Sequence, residues 1–192
     1  MPKLPTVEME RRRRHIAEAA RQCFIRGGIE RTSMDDICRQ AGISKGAIYG
    51  HFASKDELVL EVMDIGAAGM DRLGSAISLQ DLRGLLEAFP FLPASDEEIA
   101  RLEFELATRA FADPVLRERL ARNLDTLESV IRRALHGLVT RGDIKLRLPE
   151  KVAAQLVVRD LLGSFWLRSV LSKSRADIGR DSVGKLLEVI LE

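Results

Sequence analysis

The sequence predicts an all-α protein of about nine helices, and three observations carry that expectation. Apolar residues recur almost throughout at spacings of three and four, the period of a helix with one buried face. No segment sustains the two-residue alternation of a strand between hairpin turns. The periodic segments also begin at capping residues and end at glycine, or give way to loops marked by proline.

The first helix spans about residues 8–26: Ile16, Ala19, Ala20, Cys23 and Phe24 form one stripe, and Gly27-Gly28 stops it. In "TSMDDICRQAG", Thr32 or Ser33 is the N-cap, Asp35 and Asp36 suit the positive end of a helix, and Gly42 is the stop. Ile43 reads as a buried hinge. Ser44 then caps a third helix, "KGAIYGHF", only about three residues after the second ends, which is helix-turn-helix spacing.

Ser54 starts a fourth helix, with Leu58, Val62, Ile65 and Gly69 on one side, predicted to run to about Ser75. A break near Ser78 precedes "LQDLRGLLEAF", and the prolines of "PFLPAS" mark a loop. Ser95 with Glu98 forms a capping box for the next helix. Asp113-Pro114 opens the longest pattern, faced by Leu116, Leu120, Asn123, Leu127, Val130, Ile131, Ala134 and Leu138 and closed by Gly142. Pro149 starts a helix to about Ser172, and "DSVGKLLEVIL" forms the last.

The 192 residues are enough for a sizeable core, and the 46% apolar content excludes a disordered chain. Net charge is +1 but uneven. Residues 1–55 hold 11 Lys/Arg against 6 Asp/Glu, the remainder 19 against 23, so a basic head that suits a polyanion precedes an acidic body. Cys23 and Cys38 have neither disulfide-framework nor metal-ligand spacing and read as small core residues. With no signal peptide and no apolar run of membrane-spanning length, a cytoplasmic protein without membrane association is expected. The internal "KDEL" at 55–58 cannot act as a C-terminal address.

The exposed chemistry of the head points to nucleic acid. Ser44 and Lys45 stand at a helix N-terminus, where free N–H groups favour a phosphate. The N-terminal residues of the second helix of a helix-turn-helix reach base edges in the major groove. Glycine costs about 1 kcal/mol against alanine inside a helix. Gly46 and Ala47 justify that cost by letting the backbone approach DNA, with Ala47 able to touch a thymine methyl. Tyr49, His51 and Lys55 carry donors for phosphates, whereas Ile48 and Phe52 point into the core. His51 has no partner residue at helical spacing for metal binding or acid–base work, so no metal is expected. The run Arg11–Arg14 is either a groove-contacting arm or a solvated helix end.

The stretch "TSMDDICRQAGISKGAIYGHFASKDELVLEVM", residues 32–63, resembles the DNA-binding signature of the TetR/AcrR family of bacterial transcriptional repressors. The resemblance runs in register from the Thr-Ser cap through Tyr-x-His-Phe to Ser-Lys-x-Glu-Leu. It implies that Thr32 or Ser33 holds a phosphate and that Ser44, Lys45, Gly46, Ala47, Tyr49, Gly50, His51 and Lys55 lie at or beside DNA. Two positions depart from the pattern: threonine is common at Ala47 and a larger residue at Gly50, so this recognition surface is sparse.

The resemblance further implies a ligand cavity among the central helices, with Met63, Phe89, Phe104, Arg109, Phe111 and Trp166 as candidate walls. On residue chemistry alone each aromatic reads more simply as core, and Arg109 as a partner of Glu105 four residues earlier. His136, alone in an apolar helix, reads as a core or interface residue. The helix from 150 is apolar nearly all round, so it is either deeply buried or shared with a partner. By resemblance the last two helices form a two-fold dimer interface, through Leu156, Leu162, Trp166, Val170, Val183, Leu187 and Ile190.

The expected organisation is a helix-turn-helix head, 1–53, and a larger ligand-sensing and dimerising body, 54–192, with the fourth helix as bridge. The expected function is a homodimeric repressor that leaves a palindromic DNA operator when an unidentified small molecule binds. No cofactor is expected. A non-specific DNA-binding protein without effector is the alternative; an enzyme is disfavoured by the absence of a nucleophile elbow, phosphate loop or dinucleotide fingerprint.

Overall fold

The computed structural model describes residues 6–89, 96–170 and 182–192. Among these the chain forms nine α-helices and one 3₁₀ segment: α1 (Thr6–Gly27), α2 (Met34–Ala41), α3 (Lys45–Tyr49), α4 (Lys55–Ala68), the 3₁₀ turn Gly69–Ser75, α5 (Leu79–Glu87), α6 (Asp96–Ala112), α7 (Pro114–Arg141), α8 (Glu150–Val170) and α9 (Ser182–Ile190). Ser95 and the segment beyond Val170, where a capping box and a helix end are predicted, lie outside the described residues.

By packing, the chain divides into two units: residues 1–65 with 101–119, and 66–100 with 120–192. The predicted boundary at 53/54 therefore differs from the packing boundary, which falls inside α4 and assigns most of α6 to the head.

In the first unit α1 packs on α2, and α2 on α3. The α1 stripe of Ile16, Ala17, Ala20 and Phe24 is buried, as are Ile37, Cys38 and Ala41 of α2, Ile48 of α3, and Phe52, Leu58, Val59 and Val62 beyond it. Gly28, at φ +83°, takes the left-handed turn that ends α1. Ser54 Oγ accepts the Glu57 N–H at the start of α4, and the Glu57 carboxylate reaches back to the Ala53 N–H at 2.8 Å.

The second unit closes around Leu73, Leu82, Leu127, Ile131, Leu135, Leu138, Val157, Leu161, Leu187 and Ile190. Asp113 caps α7 by accepting the N–H groups of Val115 and Leu116. Three expectations change. The fourth helix stops at Ala68 and tightens into a 3₁₀ turn, because Gly66, Gly69 and Gly74 weaken an α-helix there. An isolated antiparallel bridge joins Leu146 to Leu191, with N–H donation from Arg147 to the Ile190 carbonyl and from Glu192 to the Lys145 carbonyl, both 2.9 Å. His136 is exposed rather than core, and its Nδ1 lies 3.0 Å from Glu150. None of the described helices is long and apolar enough to cross a membrane.

Candidate nucleic-acid interface

The turn between α2 and α3 is closed by backbone bonds alone. Gly42 sits at φ +66°, its N–H donates to the Arg39 carbonyl, and the next N–H, of Ile43, donates to Cys38. Two residues later Ser44 caps α3, its Oγ accepting the Ala47 N–H at 3.2 Å. Ile43 is half-buried rather than fully buried.

α3 is only five residues long, and Ile48 alone among them is buried. Lys45, Gly46, Ala47 and Tyr49 are exposed, so the helix is pinned by one aliphatic side chain and offers the rest to solvent. A Cβ at Gly46 would meet nothing within 4 Å, so nothing inside the protein calls for a glycine there. Gly50, expected inside the helix, is instead its C-cap at φ −73°, a conformation open to any residue. The full interior-glycine penalty therefore does not apply to it.

The rim of this surface is ionic. Lys45 pairs with Asp35 at 2.8 Å, and that carboxylate pushes the ammonium pKa up. Ser33 and Asp36 form a capping box: Ser33 Oγ accepts the Asp36 N–H, and the Asp36 carboxylate accepts the Ser33 N–H at 2.9 Å. Hydrogen bonds from the Ser33 hydroxyl and backbone, with Arg39 beside it, hold the Asp36 carboxyl below its ordinary range.

The structure resolves the choice at the start of α2. Ser33 is the exposed cap, while Thr32 is 5% exposed and its hydroxyl donates to the Gly28 carbonyl at 2.7 Å, so Thr32 turns inward and not toward a phosphate. Lys55 is likewise engaged: its ammonium donates to the carbonyls of Ile29 at 2.9 Å and Thr32 at 3.2 Å. His51, on the turn that follows α3, is half-buried.

Within the arginine run each side chain has its own surroundings. Arg11 and Arg12 hold Glu8, whose carboxyl their hydrogen bonds bring down to about 2. Arg13 lies 4.1 Å over the Phe52 ring, pairs with Glu57 and Glu61, and donates to the His51 carbonyl at 2.6 Å. Arg14 is exposed. Sequence reasoning treated the four alike, although Arg13 precedes Ile16 and Ala17 by three and four residues and so falls on the buried stripe.

The candidate ligand walls are divided between the two units. Met63 is buried, Phe104 is partly exposed and Phe111 is 88% exposed, so the last is not a core residue. Arg109 bridges Glu30 and Asp56, at 3.3 Å to each, instead of pairing with Glu105. Those four belong to the first unit. In the second, Phe89 meets Phe165 edge-on at 6.4 Å, and Trp166 packs on Ile99, Ala100 and Phe165. A groove of about 1230 Å³ runs along Ser75–Glu87, and none of the predicted residues lines it.

The predicted dimer residues also separate. Val183, Leu187 and Ile190 are buried in their own chain's core and cannot face a partner, because α9 turns its more apolar face inward. Leu156, Leu162 and Trp166 are half-buried, and Val170 is 65% exposed. Val152 and Leu167 join Val170 as exposed apolar residues of α8, and Val189 is exposed on α9. Among the described residues no group of three His, Cys, Asp or Glu is placed to hold a metal ion.

Residues 16–62 match the profile of the bacterial regulatory proteins of the tetR family. The HTH-type transcriptional repressor AcnR of Corynebacterium diphtheriae is 30% identical over 149 residues, 78% of this chain and 76% of the relative. The chain belongs to the TetR family. It is therefore a DNA-binding transcriptional regulator with a helix-turn-helix, and not an enzyme. A TetR-family regulator from Mesorhizobium loti superposes with a TM-score of 0.72 at 25% identity, over 96% of this chain and 98% of that one. A regulator from Saccharomonospora viridis in complex with choline shares the fold, with a TM-score of 0.73 at 20% identity over 94% and 97% of the two chains.

Proposed function

We propose that this TetR-family regulator is a cytoplasmic homodimeric repressor that releases a palindromic operator when a small molecule binds the body. The reading rests above all on α3, whose exposed Lys45, Gly46, Ala47 and Tyr49 surround one buried anchor, Ile48. Residues 1–53 read DNA; Lys45 and the Ser33 and Ser44 caps bind phosphates, and Tyr49 with the small residues faces the groove. Gly50, His51 and Lys55 flank that surface, Lys55 by bracing the loop before α2.

Residues 54–192 sense and dimerise. On α8, Val152, Leu156, Gly163, Leu167 and Val170 fall within about 60° of one another at the helical repeat. That stripe lies opposite the buried face of Ala153, Ala154, Val157, Leu161 and Phe165. An exposed apolar stripe opposite a buried one supports a partner helix, and the same surface on a second copy satisfies two-fold symmetry. The choline held by the S. viridis neighbour supports an effector site in the body, where Phe89, Phe165 and Trp166 supply aromatic walls.

Selection of duplexes from a random pool, followed by sedimentation of the complex, tests the proposal. A palindromic consensus bound by an even number of chains is expected. Equal competition by random DNA would favour the non-specific alternative and sink the operator reading.

A further inference from the structure

In the loop Gly28–Thr32, which leads into α2, the Gly28 and Thr32 N–H groups find backbone carbonyls, of Phe24 and Ile29, but two others are satisfied from far along the chain. Those of Ile29 and Glu30 each donate to one oxygen of the Glu105 carboxylate, 76 and 75 positions downstream, both at 2.9 Å. Gly28 makes this approach possible, since a Cβ there would lie 3.1 Å from Glu105 Oε2 and its φ of +83° excludes most side chains. One turn earlier on α6, Arg101 donates to the Ile25 and Arg26 carbonyls, at 2.6 and 3.2 Å, in the last turn of α1. One turn later, Arg109 bridges the Glu30 and Asp56 carboxylates.

Positions 101, 105 and 109 recur every four residues on one face of α6. Lys55, at the start of α4, holds the carbonyls of Ile29 and Thr32. The loop that sets where α2 begins is thus gripped at its donors, its acceptors and its one acidic side chain. α6 itself is continuous from Asp96 to Ala112, while its first five residues pack with the second unit and the rest with the first.

We propose that Arg101, Glu105 and Arg109 form the positioning clamp through which α6 and the DNA-reading head respond to one another. The proposal rests on the DNA-regulator reading, and it assigns the coupling to α6 in addition to α4. Coupling between two sites is reciprocal, so DNA held by α3 must be felt along α6 even though α6 is not part of the reading surface.

The test is amide hydrogen exchange on the full chain, with and without a duplex that the wild-type protein has selected from a random pool. In wild type, DNA slows exchange across residues 101–109 as well as across α3. In Glu105→Ala, slowing at α3 persists, the response at 101–109 is lost, and affinity falls about tenfold at an unchanged salt slope, because no DNA-facing cation has been removed. Arg101→Ala gives the same pattern and serves if the first variant is poorly folded; Glu105→Gln, which keeps one acceptor, recovers part of the response. Exchange at 101–109 that ignores DNA in wild type, or that still responds in both alanine variants, overturns the clamp. Failure of wild type to select any duplex overturns the DNA-reading conclusion itself, and the clamp with it.

Discussion

Replacing Gly46 by alanine separates what the fold needs from what DNA needs. A glycine within a helix costs about 0.5–1 kcal/mol relative to alanine. At Gly46 an added Cβ meets no atom within 4 Å, so no steric term opposes the gain. Gly46 lies in the first turn of α3, so Gly46→Ala is expected to stabilise the isolated protein by up to about 1 kcal/mol, read from urea unfolding. If the backbone of α3 approaches DNA closely, the same methyl enters a packed interface, where overpacking costs about 1–3 kcal/mol. That is roughly a five- to hundredfold loss of affinity, measurable by fluorescence anisotropy with a selected duplex. Gly50→Ala is the control: its φ of −73° suits alanine, but the Cβ would sit 3.3 Å from the Ala47 carbonyl, which reduces the gain. A Gly46→Ala protein that is more stable and binds DNA as wild type does would refute the close-approach argument.

Four further outcomes are expected. Ile48→Ala removes the buried anchor of α3 and should destabilise the head by about 2–4 kcal/mol with loss of DNA binding, whereas Ile48→Val costs about 1; a melt unaffected by Ile48→Ala would contradict its role. Lys45→Ala should lower the slope of log affinity against log salt by about one, and Asp35→Asn should raise affinity by freeing Lys45 from its exposed ion pair. The Asp36 pKa is depressed in the folded state, so its contribution is complete above the ordinary carboxylate range and is lost as pH falls through the folded value; Asp36→Asn should flatten that acid limb of the stability curve. Glu103, half-buried on α6, has the opposite sign, since desolvation pushes its carboxyl up: the fold is favoured at low pH and penalised as pH rises through the raised value, so Glu103→Gln should raise the melting temperature at neutral pH more than in acid.

The order of helices and the helix-turn-helix were legible because each rests on local physics. Ser44, Gly42 and Asp113 do what cap chemistry dictates within three residues of themselves, and Ile48 and Phe52 follow from period alone. What was not legible involves groups distant in sequence. Thr32 and Ser33 are equivalent as letters, and only the nearby Gly28 carbonyl decides which hydroxyl turns inward. Arg109 has a suitable acid four residues away in Glu105, yet that carboxylate is held by two backbone N–H groups 75 and 76 residues distant. In α9, periodicity identified an apolar face but not whether its own core or a partner covers it; Val183, Leu187 and Ile190 turned out to be core.

The brevity of α3 carries a consequence for how such a regulator changes over generations. Four of its five residues are exposed, Lys45 holding only an exposed ion pair with Asp35, and Ile48 is the one that is buried. Substitutions at Lys45, Gly46, Ala47 and Tyr49 should therefore be close to neutral for folding while altering which bases are met. On the proposed reading, preference for DNA sequence and integrity of the scaffold rest on nearly separate sets of residues. A duplicated copy of this chain can drift to a new target site without first losing its fold.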